Sequence, residues 1–170
     1  MKDVRIPTKL FLIALVAFLA AWVWFGLSAP AAVPAHFNAA GQVDRWDSKF
    51  AFLAVIGVLA AVLALLFGTM RHWLGKMPAG LINLPSRRAH AYWTAEERRA
   101  ELDDAVADCM ECVGAACLLL MTAILGISGW VAAGHAVGVG VFVALLIGFL
   151  AVTAGAIAYL LRRLRVPPQS

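Results

Sequence analysis

The chain is predicted to be an all-α integral membrane protein with four transmembrane helices and both termini in the cytoplasm. Three observations predict it. Four runs contain no Asp, Glu, Lys or Arg: Leu10–Leu27, Phe50–Met70, Val113–Val131 and Val137–Leu161. Each is close to the roughly 20 residues needed to cross a hydrocarbon layer about 30 Å thick. The hydrophobic fraction of 63% and the mean hydropathy of +0.86 lie well above those of a soluble domain. Finally, the basic residues fall into alternate gaps. Lys2, Arg5 and Lys9 precede the first run, Arg71, Lys76, Arg87, Arg88, Arg98 and Arg99 follow the second, and Arg162, Arg163 and Arg165 follow the fourth. The other two gaps hold only Arg45 and Lys49 between them. Cationic loops stay on the cytoplasmic side, so the asymmetry orients the whole chain.

Span one, residues 9–28, has the basic head and apolar core of a secretory signal, and Ala29-Pro30-Ala31 imitates a cleavage site. Its apolar stretch exceeds the usual signal core. It also ends in Trp22, Trp24 and Phe25, aromatic residues suited to a membrane interface. A retained anchor is the expectation. Residues 29–49 form a short, structured outer loop. Pro30 and Pro34 stop the incoming helix, and Asn38-Ala-Ala-Gly41 reads as a turn in which Gly41 can take positive φ. Trp46 and Lys49 stand at the interface before span two, residues 50–70.

The cytoplasmic gap, residues 71–112, is expected to carry an amphipathic helix over 95–112. Thr94 and Glu97 have the spacing of a capping box. Glu97, Glu101, Asp104, Asp108 and Glu111 fall within about 80° of one another at helical spacing. Leu102, Val106, Cys109 and Val113 take the opposite side. A solvated acidic face explains this pattern most simply. A docking face for a basic partner, or folding back onto Arg71, Arg87 and Arg88, are the alternatives. The gap between span three (113–131) and span four (137–161) is too short for anything but a tight antiparallel hairpin. Ala144 with Gly148, and Ala151 with Gly155, permit close helix approach there. Residues 162–170 form a cytoplasmic tail.

The spans offer hydroxyls such as Thr122, Ser128, Thr153 and Tyr159 but no ionisable side chain, which argues against a self-contained proton-coupled transporter. His36, His72, His90 and His135 all lie in gaps, so paired haem ligands are not expected within the spans. No phosphate-binding glycine loop, zinc-protease motif or nucleophile elbow is present. The basic residues flank spans instead of forming a stripe, so nucleic acid is not an expected partner and the lipid bilayer is. Cys109 and Cys112 spell C-x-x-C, with Cys117 nearby. They sit in a helical pattern and read as small buried hydrophobes instead of a redox or zinc centre.

No cofactor and no catalytic residue is expected. The outer loop gathers His36, Asn38, Asp44 and Asp47. Of these, His36, Asp44 and Asp47 are the only candidates for a metal, but the spacing matches no standard ligand set. The competing expectation is that Asn38 and Asp44 satisfy turn backbone while Arg45 pairs with a neighbouring carboxylate.

The stretch Pro34-Ala-His-Phe-Asn-Ala-Ala-Gly-Gln-Val-Asp-Arg-Trp-Asp-Ser-Lys49 resembles the signature of a bacterial membrane-protein domain of unknown function, 1648. That domain is also the N-terminal part of SdpI-type proteins, which protect bacteria from a secreted peptide toxin. The resemblance runs from the first span into the second. It marks Pro34, His36, Phe37, Asn38, Gly41, Asp44 and Trp46 as signature and recognition positions with no reaction attached, and Asp47 departs from an expected glycine. Asn83-Leu-Pro85, Tyr92-Trp93 and the Glu/Arg-rich segment that follows are similar, more loosely, to the cytoplasmic loop of small members. The resemblance implies a non-enzymatic protein of the bacterial inner membrane that binds a protein or peptide, with immunity or envelope signalling as its most specific form. An accessory or assembly subunit of a larger membrane complex is the first alternative. A metal- or thiol-dependent membrane enzyme is the second.

Overall fold

The computed structural model describes residues 4–167. Lys2 and the last part of the tail, residues 168–170, lie outside them. Four helices are long and apolar enough to cross a membrane: α1 (Ile6–Ser28), α2 (Lys49–Leu74), α4 (Glu96–Ala132) and α5 (Val139–Arg163). Between α1 and α2 the chain forms an antiparallel β-hairpin, β1 (Ala32–Phe37) with β2 (Val43–Ser48). Between α2 and α4 lie a single 3-10 turn, Ala79–Leu81, and a two-turn helix, α3 (Arg87–Trp93).

Local chemistry accounts for the starts. Pro7 occupies the first turn of α1, where its missing N–H costs nothing. Ser48 ends β2 and also caps α2, its Oγ accepting from the Ala51 N–H at 3.2 Å. Ser86 does the same for α3 through Ala89 at 3.1 Å.

α4 is the mast of the bundle. Phe11, Ala14, Phe18 and Phe25 of α1 and Phe52, Leu53, Ile56 and Ala60 of α2 form one core with Ala115, Leu118 and Leu125 of α4. The three helices meet most closely at Gly114, where a β-carbon would stand 2.7 Å from Phe67 Cβ and 2.9 Å from Phe11 Cε2. α5 returns antiparallel along α4, as the short connection requires, but contributes no buried residue. A second, smaller core joins α3 to the ends of the spans through Ala89, Trp93, Leu102, Ala105 and Leu164. There Trp93 Nε1 donates to the Leu164 carbonyl at 2.8 Å and closes the end of α5.

The amphipathic helix (95–112) leads into span three (113–131) as one continuous helix, since no residue between them breaks the hydrogen-bond ladder. Two expectations are corrected. The chain is mostly helical but not all-α, because the loop between α1 and α2 pairs its own backbone into a ladder. The capping box is absent: Thr94 closes α3, its Oγ1 donating back to the His90 carbonyl at 2.6 Å. The N-cap of α4 is therefore Ala95, without a side-chain bond.

Candidate functional site

Polar side chains gather at the two opposite ends of the bundle. At one end stands the hairpin. Its turn is built by Asn38, whose Oδ1 accepts from the Ala40 and Gln42 N–H groups at 2.9 and 3.0 Å. Gly41 follows at φ 78°, a conformation that side chains other than glycine's disfavour. A β-carbon on Gly41 would also come within 3.0 Å of the Val139 backbone N, so the turn rests against the start of α5. Phe37 and Phe142 pack with ring centroids 4.9 Å apart. A further tie holds the hairpin to the bundle: buried Ser128 of α4 donates to the Pro34 carbonyl at 2.8 Å. At the base of the hairpin, Lys49 Nζ of α2 donates to the Ala29 carbonyl at the end of α1 at 2.8 Å.

Away from these contacts the hairpin is polar and open. His36 Nδ1 and Asp44 Oδ1 are 2.5 Å apart, with side chains 60% and 43% exposed. Arg45 and Asp47 pair at 3.3 Å, and the Trp46 indole is exposed. Of the three metal candidates, the fold therefore joins His36 to Asp44 but sends Asp47 to Arg45. Positions 44 and 47 differ in parity along a strand, which puts their side chains on opposite faces. Among the described residues no group of three His, Cys, Asp or Glu side chains converges. Under the hairpin an apolar hollow of about 320 Å³ is lined by His36, Phe37, Phe52, Ser128 and Phe142 among others. Ser128 shares this hollow with His36, and its hydroxyl proton is committed to the Pro34 carbonyl.

At the other end three arginines from three helices converge on the acidic side of α4. Arg71 reaches Asp104 at 2.6 Å, Asp108 at 2.7 Å and Glu111 at 3.3 Å. Arg5 meets Asp104 at 2.5 Å and Asp108 at 3.6 Å. Arg163 donates to Asp108 at 3.0 Å, and Thr8 Oγ1 to Glu111 at 2.7 Å. Nearby, Arg99 pairs with Asp103 and donates to the Leu74 and Met77 carbonyls at 2.6 and 2.7 Å, tying α4 to the end of α2 and the turn that follows it. The solvated-face expectation thus fails for Asp104, Asp108 and Glu111. They fold onto Arg71, as one alternative held, but not onto Arg87 or Arg88. Arg88 instead donates to the Pro167 carbonyl at 2.8 Å. Arg5 and Arg163 were legible only as topological flanks. Cys109, Cys112 and Cys117 are free thiols, and Cys109 is buried.

No curated protein and no solved structure matches the chain. A family model described as Domain of unknown function (DUF1648) matches residues 11–61. Those residues carry α1 from Phe11, the whole hairpin and the first half of α2, so the match to this domain falls on the segment that supplies the braced hairpin.

Proposed function

We propose that this is a small, non-enzymatic protein of the bacterial cytoplasmic membrane that binds a protein or peptide with its outer hairpin. Immunity to a secreted peptide, or envelope signalling, is the specific form of that reading. In this orientation the termini, α3 and the arginine–carboxylate network lie in the cytoplasm, where the excess of Arg and Lys belongs. The observation that carries the reading is the contrast between the hairpin's anchored and open side chains. Ser128 and the Phe37–Phe142 contact fix it to the bundle. Trp46, His36–Asp44 and Arg45–Asp47 stand open to solvent, and among the described residues the charged ones pair only with each other. A rigid surface of this composition binds without losing much loop entropy. The His36–Asp44 pair stands in water, which favours recognition over chemistry that needs a desolvated site.

Photo-crosslinking side chains at Trp46 and Asp44, in living cells, test this. Adducts are expected at both positions, none at lipid-facing Leu150 of α5, and loss of peptide-toxin resistance in His36→Ala or Asp44→Ala cells. Adducts at Leu150 alone would support the reading as a subunit of a larger membrane complex, which the unburied face of α5 favours. Absence of adducts at both hairpin positions would remove the binding proposal.

A further inference from the structure

We propose that α5 is a movable strut coupling the hairpin to α3 at the opposite end of the bundle, so that loosening either end of the strut loosens the other. Among the long helices α5 packs on α4 alone, and none of its residues is buried. Helices in lipid are held by side-chain packing and interhelical hydrogen bonds, and the middle of α5 has little of either. A β-carbon at Gly148 or Gly155 would meet nothing within 4 Å. The shielded Thr153 hydroxyl finds no partner among the described residues.

The two ends are fastened instead. At the hairpin, the Phe142 ring lies 4.9 Å from that of Phe37, and the Val139 backbone abuts the Gly41 turn. At the far end Arg163 donates to Asp108 at 3.0 Å, and buried Leu164 joins the core that holds Ala89 and Trp93. Two hydrogen bonds from α3 clasp the segment that leaves α5. Trp93 Nε1 donates to the Leu164 carbonyl and Arg88 Nη2 to the Pro167 carbonyl, both at 2.8 Å. Between these fastenings the helix is stiff: 25 residues, about 37 Å, with no proline to bend it. Residues 133–138, Gly134 and Gly138 among them, are its joint to α4, the kind of short connection that absorbs backbone rotation when a packed element moves. Each end also borders free space, hollows of about 320 and 660 Å³, the first lined by Phe142 and Leu146, the second by Leu160 and Leu164. A stiff rod fastened at its ends and loose along its flank passes a displacement of one end to the other. The coupling does not depend on what the hairpin binds.

The test is hydrogen exchange of the purified full chain in mild detergent, read by mass spectrometry on peptides covering 135–146 and 158–167. Phe142→Ala, at the hairpin end, should speed exchange in the 158–167 peptide by about five-fold or more, the low end of couplings between linked sites. Trp93→Phe keeps a ring but removes the donor to Leu164. It should speed the 135–146 peptide by a similar factor, because linkage is reciprocal. Phe18→Leu is the control, in the core of α1, which packs on α4 and α2 but not on α5; it should leave both peptides unchanged. Phe142→Leu takes the place of Phe142→Ala if the latter loses its helical circular dichroism. Acceleration confined to the mutated end in either variant would overturn the coupling. Equal acceleration by Phe18→Leu would also overturn it, as a loosening of the whole bundle.

Discussion

Glu111 has a side chain only 5% exposed at the head of an apolar stretch, a position where an unpaired carboxylate would cost several kcal/mol. Two neighbours make it tolerable. Thr8 donates a hydrogen bond to it, and Arg71 supplies an opposite charge shared with Asp104 and Asp108. Removing Arg71 leaves Asp104 to Arg5 and Asp108 to Arg163, but leaves the buried Glu111 with the Thr8 hydroxyl as its remaining described partner. Arg71→Leu is therefore expected to destabilise the bundle by about 3 kcal/mol, read as a lower unfolding midpoint in a mixed-micelle denaturant titration. Adding Glu111→Gln to that variant should restore part of the loss, because the less buried carboxylates can still find water or Arg5. An unchanged midpoint in Arg71→Leu would show that the network contributes nothing to stability. The His36–Asp44 pair at the other end is short as well, but both side chains are open to water, and an exposed pair is worth at most about 1 kcal/mol. The network around Glu111 is thus structural, whereas the His36–Asp44 pair adds little to stability.

α4 explains why three of the helices form one body. It carries the acidic side that collects Arg5, Arg71 and Arg163, and, one turn above, Gly114 accepts Phe11 and Phe67 at distances a β-carbon would occupy. Gly114→Ala should push α1 and α2 off the mast and cost about 1–3 kcal/mol, as overpacking does. Gly126→Ala on the same helix meets nothing within 4 Å and should be neutral or slightly stabilising. Comparing the two midpoints separates packing from helix propensity, and equal midpoints would contradict the close contact. Hydropathy found the four helices long and apolar enough to cross a membrane, because lipid-facing composition is a property of each segment alone. The hairpin was legible only as a turn. Val43–Ser48 is mostly charged and polar, Ala32–Phe37 contains Pro34, and neither shows the alternation that marks a half-buried strand. What holds that hairpin comes from elsewhere in the chain: Ser128 is 94 positions from Pro34. The Arg5–Asp104 contact spans 99 positions, so the acidic side of the helix was visible while its partners were not. Thr94 likewise had a capping motif's spacing, but α3 ends on it and takes its hydroxyl.

At the scale of the whole molecule the two polar ends lie at opposite ends of a bundle whose four long helices are apolar enough to cross a membrane. Arg5, the end of α2, the start of α4 and Arg163 share one end, and the hairpin stands at the other, because four antiparallel helices return the chain to its starting side. The binding proposed for the hairpin depends on which end faces outward in a cell: a secreted peptide can reach the hairpin only from outside. Ala39 at the hairpin tip and Arg87 at the start of α3 are exposed positions on opposite ends. In a background with Cys109, Cys112 and Cys117 replaced by Ser, Ala39→Cys should react with a membrane-impermeant maleimide on intact spheroplasts. Arg87→Cys should react only after the membrane is permeabilised. The reverse pattern would turn the bundle over against its own cationic flanks, place the hairpin in the cytoplasm, and leave an intracellular protein as the only partner it can meet.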